Sequence, residues 1–539
     1  MSNRKRASKV KHEGTDTIAI VGMACRFPGA RSVSAFWELL TEGRHAIREV
    51  PRDRFDIQSY FDAEPGAPGK IRTRMGGFID DVQCFDANFF HISPRDARLM
   101  DPQQRIGLEV AYEAAEDAGV PLPELQSHST GVYLGMHSCD YAEGLADAEM
   151  DVEAAVGVSR SAAAGRLCFA LGLKGPSLVV DSDRSSSLVA THLACRSLLD
   201  RECDFALAGG TNLILSPRLS IAFSRSGLLS PDGQCKFCDE DAQGFVRSEG
   251  VGFVMLQRLS DAVAQGRRIY AVIRGGAVNA DGGRSADFTS PSHEGQEALL
   301  REAYRNAGVR AADVGYVEAH GTGTVVGDPV EMSALGAVLR DGRSVPCLVG
   351  SVKTNIGHAE AAAGIAGLIK TALILKHRTI PATLHVTRPN PKIPFEALRL
   401  RLPTGREAWP EAAPLVAGVT SLGLTGINAH VVLEAAPAAA NAPATEGARH
   451  EMVVLSAPGT EGVVQLATAY VEHLAEPAQD AGLRDIAFTA ATRRTRHGER
   501  LAVVVDSLQG LRDTLQIAAR DEDAPNIARG GARTKAPRI

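Results

Sequence analysis

The chain has 539 residues, of which 44% are hydrophobic and 23% are charged; at about 150 residues per domain, this length predicts several domains with ample apolar material. A single small module and a chain disordered over most of its length are both excluded. With 58 basic against 64 acidic residues and a formal net charge of -6, the chain has no global positive field to attract nucleic acid or an anionic membrane, which favours a small or carrier-borne substrate.

Four segments follow one another along the chain. Residues 1–16 form a basic arm. Residues 17–435 alternate short β-branched runs with helical stretches, which predicts an α/β domain of packed layers. Residues 436–522 begin with an Ala- and Pro-rich linker and continue as a small αβ domain, and residues 523–539 predict a polar tail.

The individual elements follow from the same periodicities. The predicted strands are apolar, as buried central strands should be, and comprise Ile18–Val21, Gly131–Leu134, Leu178–Val180, Tyr270–Ile273, Val431–Leu433, Met452–Leu455 and Leu501–Val505. The predicted helices are Pro102–Ala118, Ser186–Leu199, His293–Ala307, Ala359–Leu375 and Gly459–Leu474.

Cysteine usage and the absence of apolar segments bear on compartment and metal binding. The nine cysteines have no framework spacing, and the CxxC of Cys235 and Cys238 lacks the second pair that a zinc ribbon needs. No apolar core follows the basic arm, so it does not resemble a signal peptide. The longest uncharged stretch, Pro414 to Leu433, contains glycines and polar residues that a membrane span would avoid. We expect a cytoplasmic protein with reduced thiols, no metal and no membrane segment.

The first of four chemical motifs lies between Gly175 and His192. This stretch predicts a buried strand, a tight turn and then a helix. The arrangement directs one side chain and its backbone N–H outward at the positive end of a helix, and enzymes use it to present a nucleophile. Arg184 occupies the expected apex.

The other motifs supply histidines, a lysine and flexible turns. His320 follows a predicted strand and precedes a Gly- and Thr-rich turn, while Lys353, His358 and Glu360 precede a small-residue helix. The fourth motif, Gly418 to His430, is a Gly-rich bend between two strands. Each feature alone is more often structural, because a histidine at a strand end is usually a hydrogen-bonded support. The four together indicate a catalytic site.

With these residues the chain resembles a ketosynthase of a modular type I polyketide synthase, followed by the ketosynthase–acyltransferase linker domain. The resemblance covers nearly everything after residue 16 and rests on the four motifs and on Ile18–Gly29, Asp101–Arg105, Ala222–Gly233 and Gly244–Gly250. It implies a thiolase-type fold of five layers, αβαβα, made of two duplicated halves and normally found as a homodimer. It also implies no intrinsic cofactor, a substrate carried on the phosphopantetheine arm of an acyl carrier protein, and an adjacent acyltransferase domain.

The resemblance assigns roles residue by residue. In this family a cysteine at the helix apex accepts the acyl chain, and a malonyl-type extender is decarboxylated beside two histidines. His320 and His358 match those histidines, and Lys353 matches the lysine that orders the second one. The supporting positions match Glu318 and Glu360. Candidate substrate contacts are Thr322, Thr324, Asn355, Leu424 and Thr425.

The nucleophile position departs from the family. The family reads Asp-Thr-Ala-Cys-Ser-Ser-Ser, whereas this chain reads Asp-Ser-Asp-Arg-Ser-Ser-Ser from Asp181, with Asp183 before Arg184 at the cysteine position. A guanidinium is permanently protonated and offers no lone pair, so no acyl-enzyme is expected. Ser185 and Cys195 lie farther along the helix and are not replacements.

The Gly-rich bend departs as well. Where the family reads Gly-Phe-Gly-Gly-Thr-Asn, this chain reads Gly-Leu-Thr-Gly-Ile-Asn from Gly423. Leu424 replaces the gating Phe whose N–H serves the oxyanion hole, and Thr425 replaces a Gly. The backbone N–H can still donate, but the handling of the acyl chain is altered.

Arg184 has opposing effects on the expected chemistry. Its charge lowers the pKa values of neighbouring imidazoles and keeps them neutral donors. A guanidinium that pairs with the substrate carboxylate, however, stabilises the ground state, and only interactions that strengthen in the transition state accelerate a step. Neutralisation of Arg184 by Asp183 would weaken that objection.

Two hypotheses from different classes follow. Decarboxylation of a malonyl or methylmalonyl thioester needs charge stabilisation but no covalent intermediate, so His320, His358 and Lys353 favour a decarboxylase that makes a starter acyl unit. Family members in loading modules, usually with Gln at the cysteine position, act this way, and a basic arm without heptads agrees with a first module. The alternative is a silent domain for dimerisation and docking in which Arg184 plugs the site. Acyl transfer to a non-carbon nucleophile is a third, less favoured hypothesis.

Overall fold

A computed structural model of the chain describes residues 17–285, 287–411, 413–438, 449–475 and 481–531. The predicted basic arm at 1–16, most of the predicted linker after residue 438 and the last eight residues of the predicted tail lie outside these ranges. The fold is therefore described for the two predicted domains.

The strands and helices alternate through most of the chain. The strands are β1 Ile18–Arg26, β2 Ile47–Glu49, β3 Met75–Gly77, β4 Thr130–Met136, β5 Ser177–Val180, β6 Phe205–Asn212, β7 Gly250–Arg258, β8 Ala271–Ala280, β9 Tyr316–Glu318, β10 Cys347–Gly350, β11 Thr379–Ile380, β12 Leu400–Arg401, β13 Glu407–Ala408, β14 Val416–Leu422, β15 Ile427–Ala435, β16 Glu451–Ala457, β17 Glu499–Val505 and β18 Ile527–Gly531. The α-helices are α1 Val33–Thr41, α2 Ile57–Tyr60, α3 Pro94–Leu99, α4 Pro102–Asp117, α5 Leu122–Ser127, α6 Val152–Gly157, α7 Arg160–Leu171, α8 Ser186–Leu199, α9 Arg218–Arg225, α10 Leu259–Ala264, α11 His293–Ala307, α12 Gly327–Leu339, α13 Lys353–Ile356, α14 Ala363–His377, α15 Phe395–Leu398, α16 Thr460–His473, α17 Leu483–Thr492 and α18 Leu508–Ala519.

The large sheet consists of two similar halves. Its strand order is β12-β10-β9-β14-β15-β8-β1-β7-β6-β4-β5. In the first half, β5, β4 and β6 run parallel and β7 and β1 follow antiparallel. In the second half, β10, β9 and β14 run parallel and β15 and β8 follow antiparallel. The pairing of β1 with β8 joins the halves, so the predicted duplicated thiolase-type architecture is confirmed.

Helices α8 and α14 form the central layer. Both contact strands of the two halves, and every residue of α14 from Ala363 to Leu375 is buried. Two glycines let the first turn of α8 approach the sheet. A Cβ on Gly135 would lie 2.5 Å from the Ser187 nitrogen, and one on Gly210 would lie 2.6 Å from the Ser187 Cβ. This close packing fixes the turn that precedes α8.

Strand β5 differs from the expectation of buried apolar strands. Ser177 and Leu178 are exposed, and within the described ranges β5 pairs with β4 alone and is the last strand of the sheet. Its apolar composition therefore does not reflect burial within one chain. In contrast, β1, β4, β6 and β7 are buried along almost their whole length, as predicted.

The second domain is a small sheet covered by helices. Strands β16, β17 and β18 pair antiparallel in that order, and α16, α17 and α18 close a core that includes Val453, Leu501 and Leu511. Residues 527–531 belong to this sheet, so the structure corrects the predicted boundary at residue 522. The pattern of β18, IARGG, carries little apolar signal, and its strand conformation depends on pairing with β17.

Features predicted from composition can be placed as well. All nine cysteines are free thiols, and Cys235 and Cys238 are buried. Within the described residues, no group of three or more His, Cys, Asp or Glu side chains is arranged to hold a metal ion. Across the same ranges, no helix combines the length and apolar character needed to cross a bilayer.

We predict that Gly135→Ala destabilises the fold by about 1–3 kcal/mol, because the added methyl overpacks the contact between β4 and α8. Gly498→Ala is the control: Gly498 is exposed before β17 with open space around its Cβ direction and no positive φ, and alanine there should change the stability by about 0.5 kcal/mol or less. Chemical denaturation of both variants measures the difference. Equal stability of the two variants would contradict the packing argument.

Candidate active site

The turn between β5 and α8 brings Arg184 to the mouth of the central layer. Asp183 adopts a left-handed backbone with φ of 59°, a conformation that Asp tolerates better than most residues. Arg184 follows immediately, and α8 begins at Ser186. Only 5% of the Arg184 surface is exposed, so the turn predicted to present a nucleophile holds a buried cation.

The Arg184 guanidinium is held by a carboxylate and two aromatic rings. Its Nη1 donates to Asp183 Oδ1 at 3.2 Å and Oδ2 at 3.0 Å. Its central carbon lies 4.9 Å from the ring centroid of Phe223 and 5.4 Å from that of Phe245, which is cation–π distance. Its Nη2 is buried and has no hydrogen-bond partner among the described residues. Nη2 is thus left as a donor for another acceptor.

Arg184 faces a pocket of about 380 Å³. His320, Thr322, Thr324 and Leu424 also line this pocket, which brings together residues from three of the four sequence motifs. The volume is in the range of small-molecule sites. Five of the predicted site residues therefore line one cavity, whereas His358 and Lys353 are buried next to it and are not part of its lining.

His320 and His358 stand side by side behind Arg184. Their ring centroids are 5.2 Å apart, and the rings are at 79° to each other. His320 Nδ1 accepts a hydrogen bond from the Leu422 N–H at 3.2 Å, and His358 Nδ1 accepts one from the Glu360 N–H at 3.0 Å. Because Nδ1 is an acceptor in both neutral rings, the proton of each is on Nε2. The His358 Nε2 is buried without a partner among the described residues.

Burial and neighbouring cations keep both imidazoles neutral. The pKa of His320 lies well below its usual range, first because of desolvation and then because of the charges on Lys353 and Arg184. The pKa of His358 is lowered in the same way by desolvation, Lys353, the adjacent His320, and the guanidinium groups of Arg184 and Arg247. At neutral pH each ring is a neutral Nε2–H donor.

Lys353 is placed differently from the expectation that it orders the second histidine. Its Nζ donates to the carbonyl oxygen of His320, so it anchors the backbone of the first histidine. The lysine is buried, and its pKa is lowered chiefly by desolvation. The family resemblance implied His358 as its partner, but from α13 the side chain reaches the His320 carbonyl oxygen after β9.

Glu318 and Glu360 support the two histidines from behind. Glu318 accepts the Val352 N–H at 2.5 Å and forms a buried ion pair of 2.7 Å with Lys370. Glu360 pairs with Arg247 at 2.5 Å, and its backbone N–H is the donor to His358. Neither carboxylate is among the residues that line the pocket, which is consistent with a supporting position.

Two further carboxylates shape the loop after β9, and sequence reasoning did not single them out. Glu331 accepts the N–H of His320 at 2.7 Å and of Gly321 at 2.9 Å. Asp328 accepts the N–H of Gly323 at 3.1 Å, and its pKa is raised by burial to about 7. Two acidic residues in the first turns of a helix that follows a Gly-rich loop are the available signal, because carboxylates cap loop N–H groups there.

The candidate substrate contacts divide into two groups. Thr322, Thr324 and Leu424 line the pocket, whereas Thr425 is exposed on the turn after β14 and does not. Asn355 is fully buried and donates to the Arg44 carbonyl oxygen at 3.1 Å. The prediction that it contacts substrate is therefore wrong, and its role is structural. Its polar side chain beside Lys353 and His358 gave no indication of this remote partner.

Neither alternative nucleophile reaches the pocket. Ser185 Oγ donates to the Ser182 carbonyl oxygen at 2.8 Å and is buried. Cys195 is buried on α8, and desolvation raises the pKa of its thiol to about 12. A protonated, enclosed thiol is inert. The pocket therefore presents donors but no nucleophile from these two positions.

The Leu424 N–H, expected to serve an oxyanion, is already engaged. It donates to Asp183 Oδ2 at 2.6 Å, and the same carboxylate receives Arg184. Asp183 thus connects the turn before α8 with the bend between β14 and β15. The carboxylate occupies the position where an anionic ligand oxygen would accept this N–H.

Known protein families match nearly the whole described part of the chain. Residues 15–262 match the N-terminal domain of beta-ketoacyl synthases, residues 270–387 match their C-terminal domain, and residues 389–504 match the ketoacyl-synthetase C-terminal extension. The three matches follow one another in the order predicted for a ketosynthase and its linker.

Several relatives are similar over most of this chain. A phenolphthiocerol/phthiocerol polyketide synthase protein of Mycobacterium bovis is 46% identical over 92% of the chain, and one of Mycobacterium tuberculosis is 44% identical over 95%. The chain spans only 28% and 34% of the length of these relatives. The ketosynthase from module 6 of the bacillaene synthase of Bacillus subtilis is 39% identical, with a TM-score of 0.87, over 96% of this chain and 87% of the other. The oxazolomycin ketosynthase domain of Streptomyces albus is 37% identical, with a TM-score of 0.90, over 97% and 91%.

We predict that His320 and His358 both remain neutral Nε2–H tautomers as the pH falls through 6.5, the ordinary imidazole value. Arg184→Gln removes one cationic neighbour and should raise the pKa of both rings, so that they protonate at higher pH than in the wild type. Nitrogen-15 NMR of histidine-labelled protein measures tautomer and titration directly.

Arg160→Gln serves as control for this titration. Arg160 pairs with Asp181 near the same turn but does not contribute to the lowered pKa of either ring. Its removal should leave both titrations unchanged. Protonation of either ring near pH 6.5 in the wild type would show that the assigned electrostatics are wrong.

Proposed function

This chain belongs to the beta-ketoacyl synthase family as a ketosynthase domain of a polyketide synthase, and we propose that it decarboxylates a malonyl- or methylmalonyl-carrier protein. In this proposal the domain makes a starter acyl unit in a loading module and does not catalyse condensation. The observation that carries the proposal is the pair of neutral Nε2–H donors on His320 and His358, deduced from their Nδ1 hydrogen bonds.

The histidine pair supplies what decarboxylation requires. When the bond between the α-carbon and the carboxylate breaks, carbon dioxide leaves and its bonding electrons pass to the thioester oxygen as an enolate. Two Nε2–H groups stabilise that negative charge without any covalent intermediate. A proton from water then adds to the α-carbon, which leaves an acetyl or propionyl thioester on the carrier. His320, on the pocket wall, and the buried, unpartnered His358 Nε2 fit this role.

Arg184 is the reason why condensation is not proposed. It stands at the apex where the family carries its cysteine, and its guanidinium has no lone pair at neutral pH. Ser185 and Cys195 are turned away or enclosed. No cysteine is among the residues that line the pocket, so in this proposal the acyl chain forms no thioester with the protein, and the enolate is protonated.

The ion pair between Asp183 and Arg184 answers the objection that a bare guanidinium would slow the reaction. A full positive charge would hold the substrate carboxylate too tightly in the ground state. The Asp183 carboxylate, 3.0 Å from Nη1, neutralises most of that charge at the site. The substrate carboxylate is then bound but can still leave.

The proposed partners follow from the substrate. A pocket lined by Thr322 and Thr324 offers hydroxyl groups to the amides of a phosphopantetheine arm. The carrier protein and the acyltransferase that loads it would belong to the same assembly, as the family implies.

A second candidate function is a silent domain that serves docking and assembly. The observation that favours it is the hydrogen bond from the Leu424 N–H to Asp183, because this contact blocks one oxyanion donor. Under this alternative, Arg184 and Asp183 together plug the site. The two candidates differ in whether carbon dioxide is lost.

The decisive measurement is the intact mass of malonyl- and methylmalonyl-loaded carrier protein after incubation with the domain. We expect the loss of carbon dioxide with the wild type, and a rate at least roughly 100-fold lower in His320→Ala and in His358→Ala, because each change removes one oxyanion donor. His430→Gln is the matched control, since His430 is buried away from the pocket and bonds Thr420.

Two outcomes would contradict the proposal. No loss from either extender with the wild type, together with loss in Arg184→Gln, would identify a sound pocket silenced by its cation and favour the docking domain. Loss that persists unchanged in both histidine variants would assign the reaction to other groups.

We also propose that two copies pair through β5. Its outer edge is unpaired in the sheet order, Leu178 is 37% exposed, and Phe169 on the adjacent α7 is 91% exposed. An exposed edge strand with apolar neighbours favours pairing with another strand. The occupant would be β5 of a second copy, which gives a continuous sheet across the dimer.

Light scattering tests this pairing. We expect the wild type to have the mass of two chains and Phe169→Asp with Leu178→Lys to have the mass of one, because charge on the apolar edge opposes association. Phe488→Asp, at a residue 54% exposed on the small domain, should remain dimeric. A double variant that stays dimeric would exclude this edge as the interface.

A further inference from the structure

The free nitrogen of Arg184 is the feature that the mechanism above leaves unexplained. Arg184 is 5% exposed, and its Nη2 has no hydrogen-bond partner among the described residues although it is buried. The neighbouring Arg247 is different: its guanidinium bonds Glu360 at 2.5 Å and Ser220 at 2.9 Å. An unpaired donor on a buried cation is costly, so such a group points to an absent acceptor.

We propose that Arg184 and Asp183 form a charge-compensated receptor that selects acyl thioesters bearing a second, free carboxylate over neutral acyl thioesters. This inference rests on the proposed function, because it assigns the substrate class of the same pocket. The receptor consists of Nη2 as the free donor and of Asp183, which occupies Nη1 and the Leu424 N–H.

The chemistry of the two residues defines the ligand. A guanidinium favours carboxylate oxygens; Asp183 already uses Nη1, and the buried, unpartnered Nη2 is the donor that we assign to the ligand. The rings of Phe223 and Phe245 beside the guanidinium make its surroundings apolar, which disfavours a strongly hydrated anion. Because the pair is neutral overall, it accepts a single negative charge and not a dianion. A carboxylate at the end of a short acyl chain meets these conditions.

Asp183 is a positioning residue that sets how tightly the carboxylate is held. Its own negative charge opposes that of the ligand, which weakens binding in the ground state. Removal of this charge should tighten binding of any carboxylate ligand and slow its departure as carbon dioxide. The left-handed backbone at residue 183 tolerates Asn as well as Asp, so the charge can be removed without a change of conformation.

Binding of two matched thioesters separates this inference from the decarboxylase itself. Succinyl-pantetheine carries a free carboxylate but cannot lose carbon dioxide readily, because its carboxylate is not β to the thioester carbonyl. Butyryl-pantetheine has a similar length and no charge. By calorimetry, we expect the wild type to bind succinyl-pantetheine at least tenfold more tightly than butyryl-pantetheine.

The variants then assign the preference to the receptor. Arg184→Gln should bring the ratio of the two affinities close to one while butyryl binding persists, which shows that the pocket is still folded. Asp183→Asn should increase the ratio severalfold, and with malonyl-carrier protein it should lower KM and kcat together. Asp181→Asn is the charge control. Asp181 pairs with Arg160, and its Oδ1 accepts the Asp183 N–H at 3.2 Å; the Asn amide oxygen can still accept that N–H, so loss of this charge should leave the ratio unchanged.

The outcomes are distinct from those of the decarboxylation assay. A preference that survives Arg184→Gln, or one that does not respond to Asp183→Asn, would overturn the receptor even if carbon dioxide is lost. A preference that follows both variants would support the receptor even if the carrier-bound malonyl group stays intact, in which case only the proposed function fails.

Discussion

A permanent positive charge in a buried turn is the constraint on which the active site depends. Most buried ionisable groups can become neutral, but a guanidinium cannot, so its surroundings must compensate. At Arg184 the compensation comes from the Asp183 carboxylate and from two aromatic faces. The same charge adds to desolvation and Lys353 in holding both histidines neutral. The charge on Arg184 and the neutral state of both histidines therefore form one electrostatic unit beside the pocket.

Four buried carboxylates hold the loops around this unit. Glu331 and Asp328 accept backbone N–H groups of the loop after β9, while Glu318 and Glu360 pair with Lys370 and Arg247. Some of these contacts are local, but others join distant segments: Glu360 pairs with Arg247 across 113 positions, and Asp328 also accepts the Cys238 N–H across 90 positions. These contacts explain how flexible Gly-rich loops place His320 and His358 within one site, because loop N–H groups are fixed by charge-assisted hydrogen bonds.

The sequence predicted the fold, but it did not predict the contacts of the candidate site residues. The apolar runs of β1 and α14 are buried for many residues in succession. Such a run can be recognised from the local sequence alone. The edge position of β5 and the strand at 527–531 depend on neighbours in the sheet, which no local pattern encodes. Within the site, the contact of Asp183 with Leu424 spans 241 positions. Lys353 and Asn355 illustrate the same limit, since their partners were set by the direction of α13.

The left-handed turn at Asp183 also limits the chemistry open to any thiol placed at position 184. A cysteine introduced there would stand beside a carboxylate that already accepts the Leu424 N–H. A neighbouring negative charge raises a thiol pKa and lowers the thiolate fraction. Positions 183 and 184 are therefore linked, because a nucleophilic thiol at position 184 would also require a neutral residue at position 183.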